Sequence, residues 1–145
     1  MLGLGTWEND DHGECVESVR TALEVGYRHV DTAQAYRNED AVGEGIAEAT
    51  VDREDVFLAT KVWNSNLAHE DVIASTEDSL DRLGTDYVDL LYVHWPAGEY
   101  DPEDTLPAFD ELRDRGLIDH VGVSNFEPDH LERAREMLDA PIFAN

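Results

Sequence analysis

The feature that most constrains this chain is a regular alternation of two hydrophobic periods. Short runs rich in aliphatic and aromatic residues fall near residues 2–5, 27–31, 56–61, 87–93, 118–123 and 141–144. Between them the apolar residues recur at helical spacing. Val16, Val19 and Leu23 form one stripe, Val42, Ile46 and Ala49 the next, and Val72, Leu80 and Leu83 a third. Leu106, Phe109 and Leu112 follow, then Leu131, Ala134 and Leu138. Gly26, Gly84 and Gly116 each stand after a stripe and before a strand, where helices stop well, and Pro128 stands where a first helical turn belongs. Strict strand–helix alternation predicts a parallel sheet covered by helices. One βα unit recurs every roughly 23–31 residues, close to the average of about 31 in a (β/α)₈ barrel. The pattern predicts an α/β fold with five βα units and a sixth strand. Periodicity alone leaves open whether the sheet is part of a closed barrel or a doubly wound open sheet.

The dinucleotide fingerprint of the open sheet is absent. Gly3-Leu4-Gly5 runs into Thr6-Trp7-Glu8 without a third glycine, and Gly43-Glu44-Gly45 lies inside a helical pattern. At 145 residues the chain suits one domain, and no linker or low-complexity stretch divides residues 1–145. The opening Met-Leu-Gly-Leu-Gly-Thr-Trp has no basic region, and no apolar run approaches the ~20 residues of a membrane helix. These features predict a cytoplasmic protein without a membrane anchor. Cys15 is the only cysteine, which excludes an internal disulfide and a cysteine metal cluster and leaves packing as its role. The 34 acidic residues outnumber the 10 basic ones, for a net charge of −24, which argues against nucleic-acid binding. The acids are spread between apolar positions, as on a solvated surface suited to high salt, and point to a halophilic source. Among the basic residues Lys61 is the single lysine. A sequence that has shed lysine from its surface and kept this one directs attention to its chemistry.

In parallel βα proteins the site lies at the carboxyl ends of the strands. Thr6 and Trp7 follow the first strand; the second ends in Asp31, with Tyr36 in the loop beyond it. The third ends in Lys61, followed by Trp63 and Asn64; the fourth ends in His94, followed by Trp95 and Pro96; the fifth ends in Ser124 and Asn125. Strand side chains alternate faces, so an inward Lys61 carries Ala59 and Phe57 inward and leaves Leu58 to the helices. Singly, each polar residue has a plain structural role: Asp a cap, Tyr packing, His a bond to a carbonyl. Together, Asp31, Tyr36, Lys61 and His94 fit proton transfer to a carbonyl oxygen. A free phenol, with a pKa of about 10, is a poor acid at neutrality, and an ammonium nearby would lower it. Lys61 is expected to do this to Tyr36, Asp31 to hold Lys61, and His94 to polarise the substrate oxygen. The hydride would have to come from a cofactor.

The runs Gly3-Leu4-Gly5-Thr6-Trp7, Asp31-Thr32-Ala33-Gln34-Ala35-Tyr36, Thr60-Lys61-Val62-Trp63, His94-Trp95-Pro96 and Gly122-Val123-Ser124-Asn125-Phe126 resemble the aldo-keto reductase family along essentially the whole chain. The flavour is similar to its diketogluconate-reductase-like members. The resemblance implies a partial (β/α)₈ TIM barrel truncated before strands seven and eight, and an oxidoreductase moving hydride between NADP(H) and a carbonyl or alcohol, NAD(H) remaining open. It implies Asp31, Tyr36, Lys61 and His94 as catalytic tetrad, with Tyr36 as general acid. Thr6, Asp31, Ser124 and Asn125 would bind the cofactor, the last two its carboxamide. Trp7, Trp63 and Trp95 would line the pocket for a small carbonyl substrate. The family's carboxamide-binding glutamine, stacking aromatic and 2′-phosphate grip belong to positions past Asn145, and its N-terminal hairpin is not seen. A monomer is expected for the full-length protein, and the 145 residues alone are expected to be inactive and to fold poorly. Two other classes stand against this reading: a non-catalytic subunit on the same fold, and an unrelated barrel isomerase or hydrolase, which would need metal ligands or a carboxylate pair. The run Asn9-Asp10-Asp11-His12 reads as a helix cap and acidic first turn, not a metal site. Glu99 to Asp104 reads as a solvated loop, and His12, His69, His120 and His130 have no legible partner.

Overall fold

A computed structural model of the chain describes residues 2–145. Five strands, β1 (Gly3–Gly5), β2 (His29–Asp31), β3 (Phe57–Val62), β4 (Val88–Val93) and β5 (Ile118–Val123), alternate with five helices. These are α1 (His12–Glu24), α2 (Glu39–Glu48), α3 (His69–Leu83), α4 (Pro102–Asp114) and α5 (Pro128–Met137). The strands form one parallel sheet in the order β1-β2-β3-β4-β5. Each strand lies beside its sequence neighbours, as in a barrel, and the order never reverses as it must in a doubly wound sheet. Successive helices pack on one another in the same sequence, α1 on α2 through to α4 on α5. The fold is therefore a partial (β/α)₈ arrangement. Among the described residues no helix is long and apolar enough to cross a membrane.

Helix ends follow the local chemistry. The Asp11 carboxylate caps α1 by accepting from the Glu14 N–H at 2.9 Å, so the acidic run there is a cap. Gly84 ends α3 with a left-handed φ of 64°, and Pro128 opens α5 at its first turn. The Gly43 and Gly45 pair in α2 serves packing. A Cβ on Gly43 would run into the Leu83 backbone of α3, and one on Gly45 would lie 2.8 Å from the Val16 carbonyl oxygen of α1. The two glycines let both neighbouring helices approach α2 closely.

The register divides the sheet's two faces. Val30, Leu58, Val62, Leu91, Val93, Val121 and Val123 are fully buried against the helices, where they meet Val19, Val42, Leu106 and Phe109. The other face carries His29, Asp31, Phe57, Ala59, Lys61, Leu90, Tyr92, His120 and Gly122, aligned strand to strand. Phe57 lies against His29, His120 and Phe143 with ring centroids 5.3, 6.5 and 5.9 Å away, which makes this face partly aromatic. The expected sixth strand, 141–144, reduces to a single parallel bridge of Ile142 with Val121, flanked by bonds donated from Phe143 N to Val121 O and from Val123 N to Ala144 O. Pro141 has no N–H to give to a ladder, which shortens the pairing.

Candidate active site

The carboxyl ends of β2, β3 and β4 bring the sequence-selected residues together. Asp31 pairs with Ala59 in register, so Lys61, two residues further along β3, reaches up beside the Asp31 carboxylate. The buried Lys61 ammonium donates to Asp31 Oδ1 and, at 2.8 Å, to the Thr32 carbonyl oxygen. Its Nζ lies 5.3 Å from the centre of the Tyr36 ring and 5.7 Å from that of Tyr92. Tyr36 closes a single 3₁₀ turn, Gln34–Tyr36, and the chain leaves it through Arg37 in the left-handed region at φ 55°. The His94 ring makes edge contacts with both Tyr36, at 5.9 Å, and Trp63, at 5.3 Å. Its Nδ1 is buried with no protein partner among the described residues.

Above these groups opens a cavity of about 530 Å³, walled by Trp7, Tyr36, Trp63, His94 and Trp95, with Glu8 and Asp10 also on its lining. The three indoles are 69%, 38% and 45% exposed, so their faces are offered to a ligand and are not spent in a core.

Electrostatics separates the roles. Burial raises the Tyr36 phenol above its ordinary value, and the Asp31 carboxylate raises it further. This differs from the expectation that Lys61 acidifies Tyr36. The ammonium is already paired with Asp31, so its field at the ring is largely cancelled, and desolvation decides the direction. Burial, aided by Lys61, pushes the His94 imidazole down against the opposing pull of Asp31, which keeps it neutral near pH 7. The site thus holds a protonated phenol and a neutral imidazole across one opening.

At the β5 end, Asn125 adopts a left-handed φ of 62° and donates from Nδ2 to the His94 carbonyl oxygen at 2.9 Å and to Ser124 Oγ at 3.1 Å. Its Oδ1 can accept an amide N–H, and the Ser124 hydroxyl can donate to an amide oxygen, which is the complement of a carboxamide. Thr6 is fully buried, and both its N–H and its hydroxyl donate to the Asp31 carbonyl oxygen, at 3.0 and 3.3 Å. It braces the β2 end from beneath. Residues outside the selected set do similar work. Buried Asn38 donates to the Thr6 and Asn9 carbonyl oxygens at 2.9 and 3.2 Å and accepts from Thr32 Oγ1 at 3.1 Å. Glu39, buried at the start of α2, accepts from Thr60 Oγ1 at 2.6 Å, Ser79 Oγ at 3.1 Å and the Arg82 guanidinium at 2.8 Å. Gln34, the first residue of the 3₁₀ turn, bonds through its Nε2 to α3. The only sequence hint was that these three polar residues flank Tyr36 so closely.

The other singled-out residues find structural partners. Cys15 is buried in the core. His12 pairs with Glu44 at 2.8 Å, His69 lies 3.6 Å from Glu70, His120 stacks on Phe143 at 4.3 Å, and His130 accepts from the Glu127 N–H at 3.3 Å.

A parallel sheet in barrel order, with Asp, Tyr, Lys and His gathered around a pocket at the strand tips, is the architecture of a βα-barrel enzyme. Comparison with known proteins makes the class specific. The description "Aldo/keto reductase family" matches residues 1–145, and the chain belongs to that family. It is 45% identical to the glyoxal reductase of Bacillus subtilis over 97% of this chain and 50% of that one. A structure described as a 2,5-diketo-D-gluconic acid reductase B superposes with a TM-score of 0.92 at 44% identity, over 97% of this chain and 50% of the other. The Bombyx mori aldo-keto reductase in complex with NADP does so with a TM-score of 0.88 at 36% identity, over 97% and 52%. The chain spans about half the length of the relatives it matches.

Proposed function

We propose that this chain forms the catalytic half of an NADP(H)-dependent carbonyl reductase in which Tyr36 is the general acid. The observation that carries the reading is the Lys61–Asp31 pair beneath Tyr36, with the neutral His94 facing the same ring. Nicotinamide, when bound, supplies the hydride. Ser124 and Asn125 offer the donor and acceptor a carboxamide needs, so the residues present fit that end of the cofactor. The NADP complex of the Bombyx mori relative supports the choice of cofactor.

Each residue has a distinct task. His94 can hold the substrate oxygen by a hydrogen bond, and its neutrality lets it do so without competing for the proton. Tyr36 keeps its proton throughout the neutral range and gives it to the oxygen as negative charge develops there. The ring that carries the phenolate left behind is centred 5.3 Å from the Lys61 ammonium, and Asp31 holds that ammonium in place. Trp7, Trp63 and Trp95 enclose the substrate and exclude water from its reacting face. A small carbonyl compound fits a cavity of about 530 Å³, and the glyoxal reductase relative supports that class of substrate.

Tyr36→Phe, made in the protein expressed from its intact gene, is expected to lower kcat for aldehyde reduction by at least ~10²-fold while NADPH affinity is kept. Stopped-flow oxidation of NADPH and fluorescence titration check the two halves of this statement. An unaffected turnover would refute the role given to Tyr36.

A further inference from the structure

Resting on the carbonyl-reductase reading, we infer that Gln34 is a positioning residue that fixes the proton donor and one wall of the substrate pocket to the same point. Gln34 opens the 3₁₀ turn that Tyr36 closes. Its Oε1 accepts from the Trp63 N–H at 2.9 Å and from Asn66 Nδ2 at 3.0 Å. Its Nε2 donates to the Ser75 carbonyl oxygen at 3.1 Å and to Ser79 Oγ at 3.2 Å. A primary amide has two donor hydrogens and an oxygen with two lone pairs, and all four capacities are used. The amide orientation is fixed by its neighbours, because a flip would set NH₂ against the Trp63 N–H and oxygen against the Ser75 oxygen.

The consequence lies at His94. Its ring makes edge contacts with both Tyr36 and Trp63. Gln34 belongs to the turn that carries Tyr36 and binds the backbone that carries Trp63, while α3 anchors it from behind. It therefore ties together the two segments whose rings contact His94. No other natural side chain offers two acceptors to one side and two donors to the other at this length. Gln34→Met keeps the length and removes all four bonds. Gln34→Glu keeps the acceptors for Trp63 and Asn66 and removes the donors to Ser75 and Ser79.

The test uses the protein expressed from its intact gene, labelled with fluorotryptophan, with the Trp63 resonance assigned by its loss in Trp63→Phe. In the parent that resonance should titrate with His94. Gln34→Met is expected to shift and broaden it, to weaken that titration, and to lower kcat by about 10- to 100-fold, with KM for a short aldehyde and NADPH affinity little changed. Gln34→Glu is expected to keep the Trp63 resonance near its parental position and to lose less kcat. A folded Gln34→Met protein with parental kcat and a parental Trp63 signal overturns the inference. Should Gln34→Met fail to fold, Gln34→Glu decides, and a parental kcat there overturns it equally. A parent whose NADPH oxidation no aldehyde accelerates refutes the carbonyl-reductase reading instead, while the Trp63 signal still reports whether Gln34 holds that wall.

Discussion

His94 sits where burial and two opposite charges compete for one proton. Burial and Lys61 lower its pKa, Asp31 raises it, and the net direction is down. The folded protein therefore refuses a proton that the unfolded chain accepts at the ordinary imidazole value of about 6.5. The sign follows: stability from this residue is fully present above that value and is lost as pH falls through the lower folded value. Replacing His94 with Gln removes the titration. The parent is thus expected to lose more stability than His94→Gln between pH 7.5 and pH 5, read as the shift of each urea midpoint. Parallel losses would mean that His94 is not the group concerned. Which residues meet at this site was legible because Asp31, Lys61 and His94 each stand where an apolar strand run stops, a signal local to a few positions. The direction of the Tyr36 shift was not legible, since it depends first on how deeply the fold buries the phenol and then on the nearby Asp31 carboxylate. Gln34 was not legible as an anchor either, because its partners Ser75 and Ser79 lie 41 and 45 residues away.

Helix α2 shows the same division at the scale of an element. Its existence followed from the Val42–Ile46 stripe, and both residues are buried. Its closeness to α1 and α3 did not, because Gly43 and Gly45 read equally well as weak points in a helix. Nor did the polar joint at its first turn, where Glu39 is 1% exposed and bonded to β3 and α3 together. The Arg82 side chain that neutralises it is 45% exposed, so the pair is buried on one side only. Arg82→Ala leaves the Glu39 carboxylate in place with two hydroxyl donors and no cation. That should cost about 3 kcal/mol, the low end for breaking a buried pair, because the lost partner was half solvated. Chemical denaturation of parent and Arg82→Ala checks the figure. Glu39→Gln, which removes the buried charge itself, should cost less than Arg82→Ala. The reverse order would show that the ion pair is not what holds α2 to α3. The sixth strand was over-read for a related reason: a run of apolar residues gives no measure of how many ladder bonds it makes once Pro141 has removed a donor.

Across the whole molecule the dominant quantity is charge. With a net charge of −24, most of it on exposed side chains, the folded chain repels itself, and it also repels an anionic cofactor. Ordinarily salt weakens the binding of a phosphate-bearing ligand, because ions compete for the basic groups that grip it. Here the long-range field of this chain opposes the ligand, so screening should help it. The screening length falls from about 10 Å at 0.1 M salt to about 3 Å at 1 M, shorter than most spacings between surface acids. We propose that the surface is an adaptation to high salt. In the protein expressed from its intact gene, raising NaCl over that range should move the urea midpoint upward and lower the Kd for NADPH, measured by fluorescence quenching. Urea is required as denaturant, since guanidinium is itself a salt and would screen the same charges. A midpoint that stays fixed while Kd rises would mean that basic groups at the cofactor outweigh the field of these acids, and the high-salt reading of the composition would fall with it.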